Sequence, residues 1–191
     1  MTLRIWSLLI ILGSFALSAC VPDSDLSGFE QPPQTFLSVS TDGVGGITSA
    51  TSYSSSAITT ALPGYTVEGI TTAEETGTQR ALGVFREGVQ VLQVFKGSGQ
   101  SIRAIHGVTL HMVGPNNERI GMTFAQSGLS TSDCRVGRSL WRGMAICSSR
   151  GAENVKLVFA VSQYQGPYDR LPAPDQLREA ELQRIVWTPA S

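Results

Sequence analysis

The sequence predicts a mainly β fold, either an antiparallel β-sandwich or a strongly curved sheet, with two or three short helices. Three observations support this. Only 15% of residues are charged, and glycine (20 residues), serine and threonine are abundant, a composition suited to strands and turns. Apolar residues recur with strand character in block after block from Tyr65 to Trp187. Helical spacing is confined to short stretches near Ser54, Thr123 and Pro174.

The first segment, residues 1–19, reads as a lipoprotein signal peptide. Arg4 and the free amine precede IWSLLIILGSF, Ile5 to Phe15, an almost wholly apolar run followed by small residues. The apolar window closes at Ala19, short of the roughly 20 residues that a spanning helix needs. It leads into LSAC, Leu17 to Cys20, which resembles the lipobox of bacterial lipoproteins. Small side chains at Ser18 and Ala19 fit a peptidase cleft, and the Cys20 thiol is the nucleophile that receives diacylglycerol. Buried lipid contributes about 0.8 kcal/mol per methylene, so three acyl chains hold almost permanently where one binds marginally. Val21, rather than aspartate, follows the cysteine. By resemblance to enterobacterial sorting, this implies the outer membrane, with the domain facing the periplasm.

Cleavage before Cys20 leaves enough chain for one domain and too little for two large ones. With 14 basic and 15 acidic side chains, no basic surplus points to nucleic acid. Residues 20–41 are polar and interrupted by Pro22, Pro32 and Pro33, and read as a lipid-anchored flexible tether. Phe29 and Phe36 could dock on the domain, but a mobile tether is the preferred reading.

The domain, residues 42–191, opens on the glycine-rich DGVGGITSAT. GVGG lacks the lysine of a P-loop and the strand, turn and helix spacing of a dinucleotide site. In SSSAITTAL, Ser54 to Leu62, the positions Ala57, Ile58, Ala61 and Leu62 form a helical stripe that Pro63-Gly64 closes. YTVEGI starts the strands. In QRALGVFREGVQVLQVFK, Gln79 to Lys96, apolar alternation on either side of Glu87-Gly88 predicts a hairpin packed on both faces. SIRAIHGVTLHM, Ser101 to Met112, continues extended, and GPNN, Gly114 to Asn117, is a turn. Thr123 caps a single helical turn through Gly128. Val155, Leu157, Phe159 and Val161 share one face of a strand spanning Asn154 to Tyr164. A proline-rich loop, a turn of helix at Pro174 to Arg178 and a last strand ending at Trp187 complete the chain.

Of the three cysteines, Cys20 goes to lipid, which leaves the pair Cys134 and Cys147 in a chain sent to an oxidising compartment. That count favours a disulfide over two inert thiols. Zinc is disfavoured because CRVGRSLWRGMAIC holds no further ligand.

Several segments together carry a family resemblance: GVGGIT, ALPGY at Ala61 to Tyr65, IRAI, IGMTF, the Cys134/Cys147 pair, and above all QGPYDRLPAPDQL followed by RIVW. In this order they resemble the small bacterial envelope lipoproteins regulated by the envelope-stress sigma factor, a domain of unknown function. The likeness covers nearly everything after Thr41. It implies a mainly β domain, a disulfide, lipid anchoring and a role in envelope maintenance or stress response. It implies no catalytic residues and no cofactor.

Candidate chemistry is sparse. His106 and His111, if on one strand, point to opposite faces and cannot share a metal. KGSGQ at Lys96 to Gln100 is not a nucleophile elbow. Asp169, Asp175, Glu179 and Glu181 read as solvated loop charge. The cysteine loop is the richest segment. Arg135, Arg138, Trp141 and Arg142 form a candidate interaction surface for lipid headgroups, an anionic glycan or an envelope protein, against the plainer reading in which Trp141 packs inward. The sequence therefore predicts a lipid-anchored, non-enzymatic interaction module of the bacterial envelope. A lipoprotein that holds a small apolar or lipid molecule is the rival, and a hydrolase comes third.

Overall fold

The computed structural model describes residues 34–190. The signal peptide, Cys20, Phe29 and the first part of the tether lie outside the described residues. The elements, in chain order, are β1 (Leu37–Ser38), β2 (Gly43–Val44), β3 (Ile47–Thr48), α1 (Ser55–Ala61), β4 (Thr66–Glu74), β5 (Gly77–Arg86), β6 (Val89–Lys96) and β7 (Ile102–Gly107). Then come β8 (Met112–Val113), α2 (Phe124–Ser127), β9 (Cys134–Val136), β10 (Ala145–Ser149), β11 (Ala152–Ala160), α3 (Pro174–Arg178) and β12 (Glu181–Trp187).

Eight strands form one antiparallel sheet in the order β4-β5-β6-β7-β12-β11-β10-β9. Local chemistry accounts for its turns. Glu87 and Gly88 both take positive φ, +52° and +79°, the backbone of a two-residue hairpin turn whose twist matches the strands it joins. Thr123 caps α2 in a reciprocal box with Gln126, and Gly128 ends it in the left-handed region. Ser54 caps α1 as its sequence predicts.

One row of side chains crosses the whole sheet: Cys134, Cys147, Leu157, Ile185, Gly107, Leu92, Val84 and Val67. This is the core face. Leu157, Ile185, Leu92 and Val84 are fully buried, each contributing roughly 1.5–3 kcal/mol of burial. A Cβ at Gly107 would crowd Met112, so the bare backbone there leaves room for that buried side chain. Ile47, Ile58, Met112, Phe124 and Leu177 complete the same core. The second layer therefore comes from three short helices and two small ribbons, and among the described residues no second sheet of comparable size is present.

The domain starts before Asp42. β1 pairs in parallel with β8, Leu37 and Val39 are buried, and Phe36 stacks on His111 with ring centroids 4.1 Å apart. The Thr41 carbonyl accepts hydrogen bonds from Trp187 Nε1 at 3.1 Å and Asn154 Nδ2 at 2.8 Å. Residues 34–41, assigned to the tether by composition, thus belong to the domain, because a two-residue strand shows no period and only tertiary burial reveals it. Two further boundaries differ from the sequence reading. The extended segment through Met112 breaks after Gly107, and the strand expected to reach Tyr164 ends at Ala160.

Candidate functional site

Residues one step along each strand face the other way. Ser148, Lys156, Val186, His106 and Gln93 form a row on this second face, across β10, β11, β12, β7 and β6. The face is closed by an unexpected contact. β4 and β9 lie at opposite ends of the strand order, yet Glu75, in the β4–β5 turn, reaches Arg135 on β9. Arg135 Nη1 and Nη2 donate to the two Glu75 carboxylate oxygens at 2.6 and 2.7 Å. The Arg138 backbone amide donates to the same carboxylate at 2.9 Å, and the Leu140 amide donates to the Glu75 carbonyl at 3.2 Å. The sheet curls until its two margins are clasped, without strand pairing to close it.

Beneath the clasp lies a cavity of about 190 Å³. Ala104, Trp141, Ile146 and Val186 give it apolar walls, and Arg103, Arg135 and Lys156 add cationic groups. Trp141 is set by a turn of 3-10 helix, Ser139–Trp141, and packs on Ile146, Val158 and Val186. Gly137 lies directly under that turn, where a Cβ would overlap the Trp141 carbonyl.

Charge is distributed unevenly around the cavity. Arg103 Nη2 donates to both Glu74 oxygens at 2.9 Å. The hydrogen bond from Arg135 holds the Glu75 carboxyl below its ordinary pKa, against the opposing effect of burial. Lys156 Nζ donates to Ser148 Oγ at 2.7 Å and, among the described residues, meets no carboxylate at ion-pair distance. His106, 2% exposed, lies between Phe95 and Trp141, with ring centroids 4.4 and 5.5 Å away. Burial first, then the charges of Arg184 and Arg103, lowers its pKa to about 3, so the imidazole is neutral at ordinary pH. Its Nδ1 is buried without a hydrogen-bond partner.

The residues singled out in the sequence are distributed as follows. Cys134 and Cys147 are bonded, as a directly opposed pair on β9 and β10 with Cα atoms 3.9 Å apart. They sit on the core face, and strand alternation turns the neighbouring Arg135 to the cavity face. Two members of the candidate surface are otherwise engaged: Trp141 packs inward at 7% exposure, and the Arg135 guanidinium is held by Glu75. Arg138 and Arg142 remain exposed. The histidines are separated, His106 on the second face and His111 against Phe36, where its Nδ1 hydrogen-bonds the Gln34 carbonyl at 2.8 Å. Among the described residues no metal-binding group of three or more His, Cys, Asp or Glu forms. Asp169, Asp175, Glu179 and Glu181 are exposed.

Sequence reasoning missed Glu75, Lys156 and the cavity role of His106. The only available signal for the clasp was EETG, an acidic turn in a chain with an arginine-rich loop 60 residues later. It also missed the buried Glu118 carboxylate, which accepts from Ser149 Oγ and the Asn116 amide, both at 2.7 Å, and ties the GPNN turn to β10.

No curated protein matches the chain. Among solved structures, the crystal structure of the uncharacterized protein yfeY from Escherichia coli is similar, with a TM-score of 0.64 and 22% sequence identity. The match covers 79% of this chain and 99% of that one, and at this identity it shows the fold alone. The profile described as a protein of unknown function (DUF1131) matches residues 23–189, and the chain belongs to that family.

Proposed function

We propose that this protein is a lipid-anchored lipoprotein of the bacterial envelope, held at the outer membrane facing the periplasm. It acts by binding a partner rather than by catalysis, in envelope maintenance or stress response. The anchor rests on LSAC directly after the apolar run. Residues 21–33 then separate Cys20 from the described domain, a length that spans at most about 45 Å when fully extended.

The binding role rests on one observation: the disulfide and the Glu75 clasp hold an exposed apolar and cationic rim in place. Leu140 is 51% exposed between Arg138 and Arg142 in the chain, and Tyr168, near Arg142, is 43% exposed. The Arg142 guanidinium lies 5.9 Å from the Tyr168 ring centroid. A rim held from two sides loses little freedom on docking, and its charge suits an anionic partner. The ionisable groups behind it favour binding over proton transfer. His106 is too weak a base near neutral pH, and Glu74 and Glu75 are each paired with arginine. A lipid-sized guest does not fit the cavity beneath the clasp, because about 190 Å³ falls below the roughly 300–1,000 Å³ of pockets that enclose drug-sized molecules.

One cell experiment tests both parts. A photoreactive residue at Leu140 should yield a discrete crosslinked species that disappears with Arg138→Glu/Arg142→Glu. It should also disappear with Cys20→Ser, which should release the domain from membranes or leave uncleaved precursor. A crosslink indifferent to charge reversal overturns the rim. Unchanged fractionation and N-terminal mass in Cys20→Ser overturn the anchor.

A further inference from the structure

We infer that the cavity beneath the Glu75 clasp binds a small apolar monoanion of single-ring size, of the class of an aromatic carboxylate. Size sets the first limit. An engineered apolar cavity of about 150 Å³ admits benzene, so about 190 Å³ accommodates one ring with a short substituent. The walls set the second. Ala104, Trp141, Ile146 and Val186 offer apolar surface to a ring.

Charge sets the third. Glu74 and Glu75 each neutralise one arginine, which leaves the Lys156 ammonium as the cavity's uncompensated charge among the described residues. Arg184 adds a second cation nearby, its guanidinium bonded among the described residues only to Gln93 Oε1 at 2.9 Å and lying 5.9 Å from the Trp141 ring centroid. A neutral guest would leave this positive field unanswered, whereas a monoanion offsets the Lys156 charge and weakens the field that remains.

Benzoate is the probe, with benzyl alcohol as its neutral counterpart and inorganic phosphate as an anion without an apolar body. Binding to the full mature protein in detergent is measured by calorimetry. Benzoate should bind at least tenfold more tightly than either comparison ligand. Lys156→Gln should weaken benzoate at least tenfold and leave benzyl alcohol unchanged. Ala104→Leu, which fills the cavity, should abolish benzoate binding while the protein stays folded by circular dichroism. Absence of benzoate binding, equal affinity for benzyl alcohol or phosphate, or retained affinity in Lys156→Gln would each overturn the inference. It stands apart from the partner-binding rim: benzoate can bind when the Leu140 crosslink fails, and the crosslink can form when benzoate does not bind.

Discussion

Removing the disulfide with Cys134→Ala/Cys147→Ala should lower stability by roughly 2–5 kcal/mol, the range for native disulfides in small secreted domains. The sequence separation of 13 residues makes the chain-entropy contribution about 3 kcal/mol. Packing adds to it, because Cys147 is fully buried on the core face and its replacement leaves space among tightly packed neighbours. The sheet should nonetheless persist, since seven of its strands are paired without β9. Urea unfolding measures the loss, and a melting temperature lower by roughly 5–15 °C accompanies it. The effect is concentrated at the margin. β9 is an edge strand with one partner, and it carries Arg135, the cationic half of the clasp. In the otherwise native protein with Cys20→Ser, an alkylating reagent should label no thiol after denaturation without reductant and two after reduction. Labelling of both before reduction would show that the bond is absent.

The second large effect is on pH dependence. The unfolded chain accepts a proton on His106 near pH 6.5, but the folded protein resists it down to about pH 3. Stability from this source is therefore complete above pH 6.5 and is lost as the pH falls from there towards 3. The slope is about 1.4 kcal/mol per pH unit, so the native protein should lose about 2 kcal/mol between pH 6.5 and 5. Glu75 does not share that window, because its pKa is lowered and it stays ionised at pH 5. His106→Phe, which keeps a ring between Phe95 and Trp141, should remove the slope. It should also match or exceed native stability at neutral pH by about 1 kcal/mol, since it deletes an unpaired buried nitrogen. His106→Leu serves if phenylalanine overpacks. Parallel losses in native protein and both variants between pH 7.5 and 5 would rule out His106 as the source.

Both experiments bear on a region that was only partly legible in the sequence. The sequence alone determined what depends on near neighbours. Apolar recurrence marked the main strands, and Glu87-Gly88, Ser54 and Thr123 placed a turn and two caps through chemistry acting over a few residues. Counting cysteines paired Cys134 with Cys147, and the structure places them opposite one another. The family resemblance drew on the same local segments, and the match to residues 23–189 agrees with it at the level of a family of unknown function.

What the sequence did not determine depends on distance. Leu37 and Val39 look like tether residues until Met112 and Val113 come beside them. Glu75 and Arg135 are 60 residues apart and belong to opposite margins of the sheet, so only its accumulated curvature brings them together. The arginines of the cysteine loop looked equivalent in sequence, yet Arg135 is held by the Glu75 carboxylate, while among the described residues Arg138 and Arg142 form no ion pair. Trp141 was open to either face, and packing decided it. Alternation along a strand assigns a side chain to one face or the other, but it carries no record of what the far edge of a curled sheet will place against that face. The cavity, its unbalanced lysine and the neutral His106 are products of that closure, set by burial and charge that exist only once the two margins meet.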